Sequence, residues 1–260
     1  MKKFLLVICA LALLLTAAHA RDQQKWQELR TTHFIVYYKS APGDFVSRVS
    51  SRAEDYYNSI ASSLGFIRFD FWLWDNRAKI YVYDTPEQYQ KESGAPAWSA
   101  GQALVKAKTI YTFSGSGEFC DTVLPHELGH IIFREFVGFD NHAVPVWLDE
   151  GVAVFQQNLR NPTALPHVKA AISAGKLIPL DKLSRMDPSS FGTNTKAVGL
   201  FYDEAVTIID YLISEFGKSK FVSFCQNLRD KRNLELAISA AYRFNNLKEL
   251  DTAWQNYLKA

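Results

Sequence analysis

Cysteine is scarce in this chain, three in 260 residues, and no two lie close together in sequence. That spacing argues against a zinc site built on thiolates. Cys9 falls in the first apolar run, so Cys120 and Cys225 are the thiols that matter afterwards. They can pair in an oxidising compartment, but spacing alone does not set their separation. Charge of one sign is also missing. Of 29 basic residues two are Lys2 and Lys3, which leaves 27 beyond the start against 27 acidic ones. A near-neutral chain carries no basic footprint for nucleic acid, so no nucleic-acid partner is expected. Internal repeats and low-complexity tracts are absent as well.

Long hydrophobic runs are reduced to one, Phe4 to Leu15. At twelve residues it falls short of the roughly 20 that a membrane span needs. Lys2 and Lys3 precede it and Ala18-His19-Ala20 follows it. This order predicts a secretory leader cut after Ala20, an exported protein (periplasmic or extracellular), and no membrane span once the leader is gone. Residues 21–260 then form one domain of 240 residues, enough for a real core.

Strand signals crowd the first half. "THFIVYYKS" (32–40), "AKIYVYD" (78–84) and "KAKTIYTF" (106–113) are rich in β-branched and aromatic residues. "FDFWLWD" (69–75) reads as a core strand or a packed loop, and its alternating aromatics leave an aromatic platform as the sharper alternative. A helix with apolar residues at helical spacing runs from about Asp44 to Leu64 and stops at Gly65. Another opens at Thr85 as cap with Pro86 first. The second half is mainly helical, with 197–217 the longest stretch. The pattern predicts an α+β fold, with a mixed sheet in an N-terminal lobe (21–140) and a helical C-terminal lobe (141–260).

"LPHELGHIIF" (124–133) carries the chemistry. Asp121 or Thr122 is the expected cap, and Pro125 suits the first turn. His126 and His130 then share one helix face, four residues apart, and can reach one ion. Glu127 is badly aimed for a ligand but can hydrogen-bond a water at the ion, which is the logic of H-E-x-x-H. A buried glutamate with no partner would be costly. A third ligand is needed, from His142, Asp140, Asp149 or Glu150. A third histidine in the extended H-E-x-x-H-x-x-G-x-x-H style is excluded, since Phe133 and Phe136 occupy those places. Glu150 stands in "VPVWLDEGVAVF", a second apolar helix on which only one of Asp149 and Glu150 can face the ion.

"HELGH" followed by "WLDEG" resembles the gluzincin metallopeptidases, and most of all their peptidase MA-like domains. The resemblance implies a zincin-like fold with an active-site helix in the N-terminal lobe. It implies one zinc ion per chain on His126, His130 and Glu150, with Glu127 as general base. It implies hydrolysis of peptide bonds in a peptide or protein substrate, with a downstream tyrosine or histidine assisting the oxyanion, for which Tyr202 is the candidate. It also implies that an edge strand before the metal helix holds the substrate, a place that "AKTIYTF" would take unless it is an internal strand. Many gluzincins carry an acid one turn after the glutamate ligand, where this chain has Val154. The acceptor for a ligand histidine then falls to Asp149, Asp203 or a backbone carbonyl. Three other readings stay open: a catalytically inactive metal-binding module for peptide or cell-envelope ligands, an aminopeptidase, and a hydrolase of cell-wall amides using Trp72, Trp74 and Trp98.

Overall fold

The computed structural model describes residues 25–66, 72–158 and 163–259. The predicted leader, residues 1–20, lies outside them. Five strands form one mixed sheet in the order β1-β2-β3-β5-β4. They are β1 (Gln27–Arg30), β2 (Phe34–Tyr38), β3 (Ala78–Tyr83), β4 (Gly101–Leu104) and β5 (Thr109–Phe113). β2, β3 and β5 run parallel in the middle, and β1 and β4 are antiparallel edges. The register aligns Val36 with Ile80 and Ile80 with Ile110, so one line of fully buried side chains crosses the sheet.

Helix α1 (Gly43–Leu64) covers that face with Phe45, Val49, Ala53, Tyr56 and Ile60, and Gly65 closes it at φ 81°. The opposite face carries a ladder of tyrosine rings. Tyr37 stacks on Tyr81 at 4.7 Å and Tyr81 on Tyr111 at 5.5 Å between centroids. Helix α2 (Pro86–Ser93) begins as expected, with the Thr85 side chain accepting from Gln88 N.

The segment around "FDFWLWD" has no strand in its described part, residues 72–75; residues 69–71 are outside. Trp72 and Trp74 have φ of 63° and 56°, which breaks the extended alternation. Trp72 is buried, and its Nε1 donates to Glu135 at 3.0 Å. Trp74 points outward, 78% exposed, so Trp72 and Trp74 share no platform.

Helices α3 (Leu124–Val137), α4 (Val146–Asn158), α5 (Ala164–Ser173), α6 (Leu180–Leu183), α7 (Thr195–Phe216), α8 (Lys218–Lys231), α9 (Leu234–Tyr242) and α10 (Leu247–Lys259) complete the described chain. Buried α7 packs on α4 and α5. One continuous apolar cluster extends from Phe34 in the sheet to Leu258 in the last helix. None of the described helices is long and apolar enough to cross a membrane. Cys120 and Cys225 are both buried and both free thiols.

Candidate metal centre

Two helices build the site. The approach to α3 differs from the sequence expectation. Residues Phe119–Val123 form a wide π-type turn that runs straight into the helix, and no side chain caps it. Asp121 instead lies 3.6 Å from Arg52, and the Thr122 carbonyl accepts from Gln157. Pro125 sits in the first turn, as its sequence position demands.

α4 lies close to α3 on one side and α7 on the other because a glycine removes a side chain at each contact. A Cβ on Gly129 would stand 2.9 Å from Ala153 Cα. A Cβ on Gly151 would stand 2.7 Å from the Ala205 carbonyl oxygen of α7. These close approaches bring Glu150 to the two histidines.

His126 Nε2 and His130 Nε2 lie 3.2 Å apart. Glu150 Oε2 is 3.7 Å from the first and 3.6 Å from the second. Around an ion with bonds of ~2.0–2.1 Å, tetrahedral donors stand about 3.3 Å from one another. The spacing therefore fits zinc after a small contraction on the carboxylate side. The donor chemistry fits too, with two imidazoles and one carboxylate and no thiolate. Among the described residues this is the one group of three such side chains whose donor atoms converge, all within 4.8 Å.

Asp149 faces another way. Its Oδ1 is 3.2 Å from His130 Nδ1, and its Oδ2 accepts from Arg134 Nε at 2.9 Å. Arg134 in turn donates to the Asn141 carbonyl at 3.1 Å. The acceptor left open in the sequence is thus Asp149 for His130. His126 Nδ1 has no hydrogen-bond partner among the described residues; the Gln157 amide comes near but donates to Thr122. Arg134 went unnoticed in the sequence, although it continues the row His126, His130 at the same interval of four.

The remaining candidates lie elsewhere. Asp140 pairs with Lys106 at 2.8 Å, and His142 is exposed outside the cluster. Asp203 pairs with His167 at 3.0 Å. Tyr202 stands within the electrostatic reach of the site. Burial, then the charges of Glu150 and Asp187, push its hydroxyl up to about 12, so it stays a neutral donor. Of the two places open to "AKTIYTF", the sheet takes the internal one. β5 is internal, and the edge is β4, inserted between α2 and β5 and antiparallel to β5. The Ala103 backbone of β4 reaches Glu127.

Burial and neighbouring charges set the protonation of these side chains. Burial drives His126 down to about 3, with the His130 charge adding to the fall. It raises Glu127 to about 7, against the pull of His130 and with the help of Glu150. Burial opposes a charge on His130 as well. There the bond and charge of Asp149, with Glu150 and Glu127 behind it, win and lift the ring to about 9. A buried cation is what this arrangement of carboxylates selects.

The family model for the peptidase MA superfamily matches residues 74–260. No curated protein matches the chain. Among solved structures, a crystal structure of a mutant M1 zinc metallopeptidase from Deinococcus radiodurans superposes with a TM-score of 0.48 at 12% identity. The alignment covers 89% of this chain and 51% of that one, so the chain spans about half the length of that protein.

Proposed function

This chain belongs to the peptidase MA superfamily, and from that premise we propose that it is an exported zinc peptidase. The reading rests above all on one observation: His126 and His130 from α3 and Glu150 from α4 converge their donor atoms beside Glu127. His126, His130 and Glu150 would hold the ion. When bound, zinc supplies a Lewis acid for the scissile carbonyl and lowers the pKa of the attacking water towards neutrality.

Glu127 then has two tasks. Its carboxylate takes a proton from the water and returns it to the leaving amine. Asp149 holds His130 by Nδ1, which leaves Nε2 turned to the ion. Tyr202, neutral and half-buried on α7, donates to the oxyanion of the tetrahedral intermediate. Tyr202→Phe is expected to lower kcat on the order of a hundredfold with KM nearly unchanged. Unchanged turnover would remove Tyr202 from the mechanism.

The export half rests on residues 1–20. The mature N-terminus is expected at Arg21, read from the intact mass of the secreted protein. The peptidase half is tested by metal content and turnover together. About one zinc per chain, with cleavage of a mixed peptide library lost in Glu127→Gln, is the expected result. Absence of zinc, with none taken up on titration, would overturn it. Zinc bound without cleavage would leave a metal-binding module in its place.

A further inference from the structure

A cavity of about 270 Å³ opens directly against His126 and Glu127. It is below the ~300–1,000 Å³ of a typical small-molecule pocket. That is room for one substrate side chain. One wall is the segment leading into β4, with Trp98, Ser99 and Gly101; Glu118 and Gln157 contribute to the rest.

Trp98 is 86% exposed, yet the backbone beside it is fixed. Ser99 is buried and hydrogen-bonds Tyr89 Oη at 2.7 Å and the Gly101 carbonyl at 2.9 Å. The Ala100 carbonyl accepts from Thr112 Oγ1 at 2.9 Å and from Ser116 Oγ at 3.3 Å. An exposed indole on an anchored backbone is arranged to meet something from solvent, since its own chain leaves it bare.

Away from the ion that His126 would hold, the cavity offers negative charge. Its ionisable walls besides His126 are Glu118 and Glu127, and neither lysine nor arginine lines it. Glu118 is exposed, and its carboxylate has no hydrogen bond or ion pair among the described residues. The nearby acid Asp121 has Arg52 for company. A cation gains from both the carboxylate and the face of the indole. An anionic side chain would meet the Glu118 carboxylate.

Resting on the peptidase reading, we propose that this cavity selects a positively charged residue, lysine or arginine, flanking the scissile bond of the substrate. Glu118 and Trp98 are its specificity determinants.

The test uses the full mature protein loaded with zinc and peptides that differ at one position, carrying arginine, lysine, norleucine or glutamate on either side of the bond. On one side, kcat/KM for arginine and lysine is expected about tenfold above norleucine, with glutamate lowest. Glu118→Lys is expected to reverse the order of arginine and glutamate. Trp98→Ala is expected to shrink the arginine-to-norleucine ratio, and Trp98→Phe to restore part of it. High salt is expected to narrow the preference, because Glu118 is exposed.

A preference for norleucine at both positions, or a ratio that ignores Glu118→Lys, would overturn the proposal. Should the wild type bind zinc but cleave none of the panel, the peptidase reading fails by itself. Calorimetric binding of the same peptides to zinc-loaded Glu127→Gln protein then decides the cavity. Tighter binding of the arginine peptide supports it, and equal binding overturns it.

Discussion

Asp149 and Glu150, neighbours in the chain, grip opposite nitrogens of a single imidazole. Asp149 Oδ1 stands 3.2 Å from His130 Nδ1, and Glu150 Oε2 stands 3.6 Å from His130 Nε2. The helix makes this possible, since successive residues diverge by about 100°. One acid reaches around the ring to its far side while the next turns to the shared centre.

Asp149→Asn is therefore expected to weaken zinc binding by about 10–100-fold while the chain stays folded. Competition with a fluorescent chelator measures it. An affinity within twofold of wild type would mean that Arg134 and the helix frame orient His130 without Asp149.

Zinc uptake is expected to release about one proton per ion at pH 7.5. The source is His130, whose metal-free pKa near 9 keeps it protonated there, whereas His126, near 3, is already neutral. A ligand ring must give up that proton. Affinity is thus expected to rise by nearly tenfold per pH unit between pH 6 and 8. Calorimetry in buffers of different ionisation enthalpy counts the protons. No release at pH 7.5 would contradict a protonated His130.

Gly151→Ala is expected to destabilise the fold by about 1–3 kcal/mol in urea unfolding, and to lower zinc affinity with it. The added Cβ meets backbone, the Ala205 carbonyl oxygen at 2.7 Å and its carbon at 2.9 Å, and backbone yields only if the helices part. Unchanged stability with unchanged zinc binding would show that α4 and α7 separate freely.

Glu204, fully buried on α7, ties the service of the fold to pH. One oxygen accepts from Ile178 N at 2.9 Å, and the other has no partner among the described residues. Burial pushes its carboxyl up to about 8; the Ile178 bond resists, and Asp251 and Asp203 add to the rise. The folded state then holds a proton that the unfolded chain releases near its ordinary value of 4.5. This contribution is whole below that value and is lost as pH rises through about 8, by up to ~1.4 kcal/mol per pH unit. Glu204→Gln is expected to flatten that slope, so the variant gains on wild type from pH 5.5 to 8.5. Parallel stability curves would place the proton elsewhere.

Much of this architecture is legible in the sequence, and the failures have physical reasons. The helices are written in apolar spacing, as in α1 with Phe45, Val49, Ala53 and Tyr56. The three central strands are written in β-branched and aromatic residues. β1 and β4 read "QELR" and "GQAL", edge strands without that pattern, and they went unseen. Without β4 in view, edge and internal places for β5 could not be told apart, because strand order is a long-range property that no local window contains. Asp121 and Thr122 looked like caps because a π-type turn has no such signature. At the site, the row His126 and His130 is a matter of helical period alone. The choice of Asp149 over Asp203 depended on how α7 lies, which spacing does not encode. The cavity beside Glu127 depends on Trp98 and Glu118, twenty residues apart, meeting across a fold.

The contact of Gly151 with Ala205 enlarges the territory on which the site depends. α7 meets the backbone next to Glu150 at Gly151, so a tilt of α7 is passed on as a displacement of that carboxylate. Ile208, Ile209 and Leu212 set how α7 is seated, and all three are fully buried. Substitutions there, remote from every donor atom, should be inherited as changes in metal affinity before they are felt as loss of fold. The lineage of this site is carried by the back of a helix as much as by its ligands.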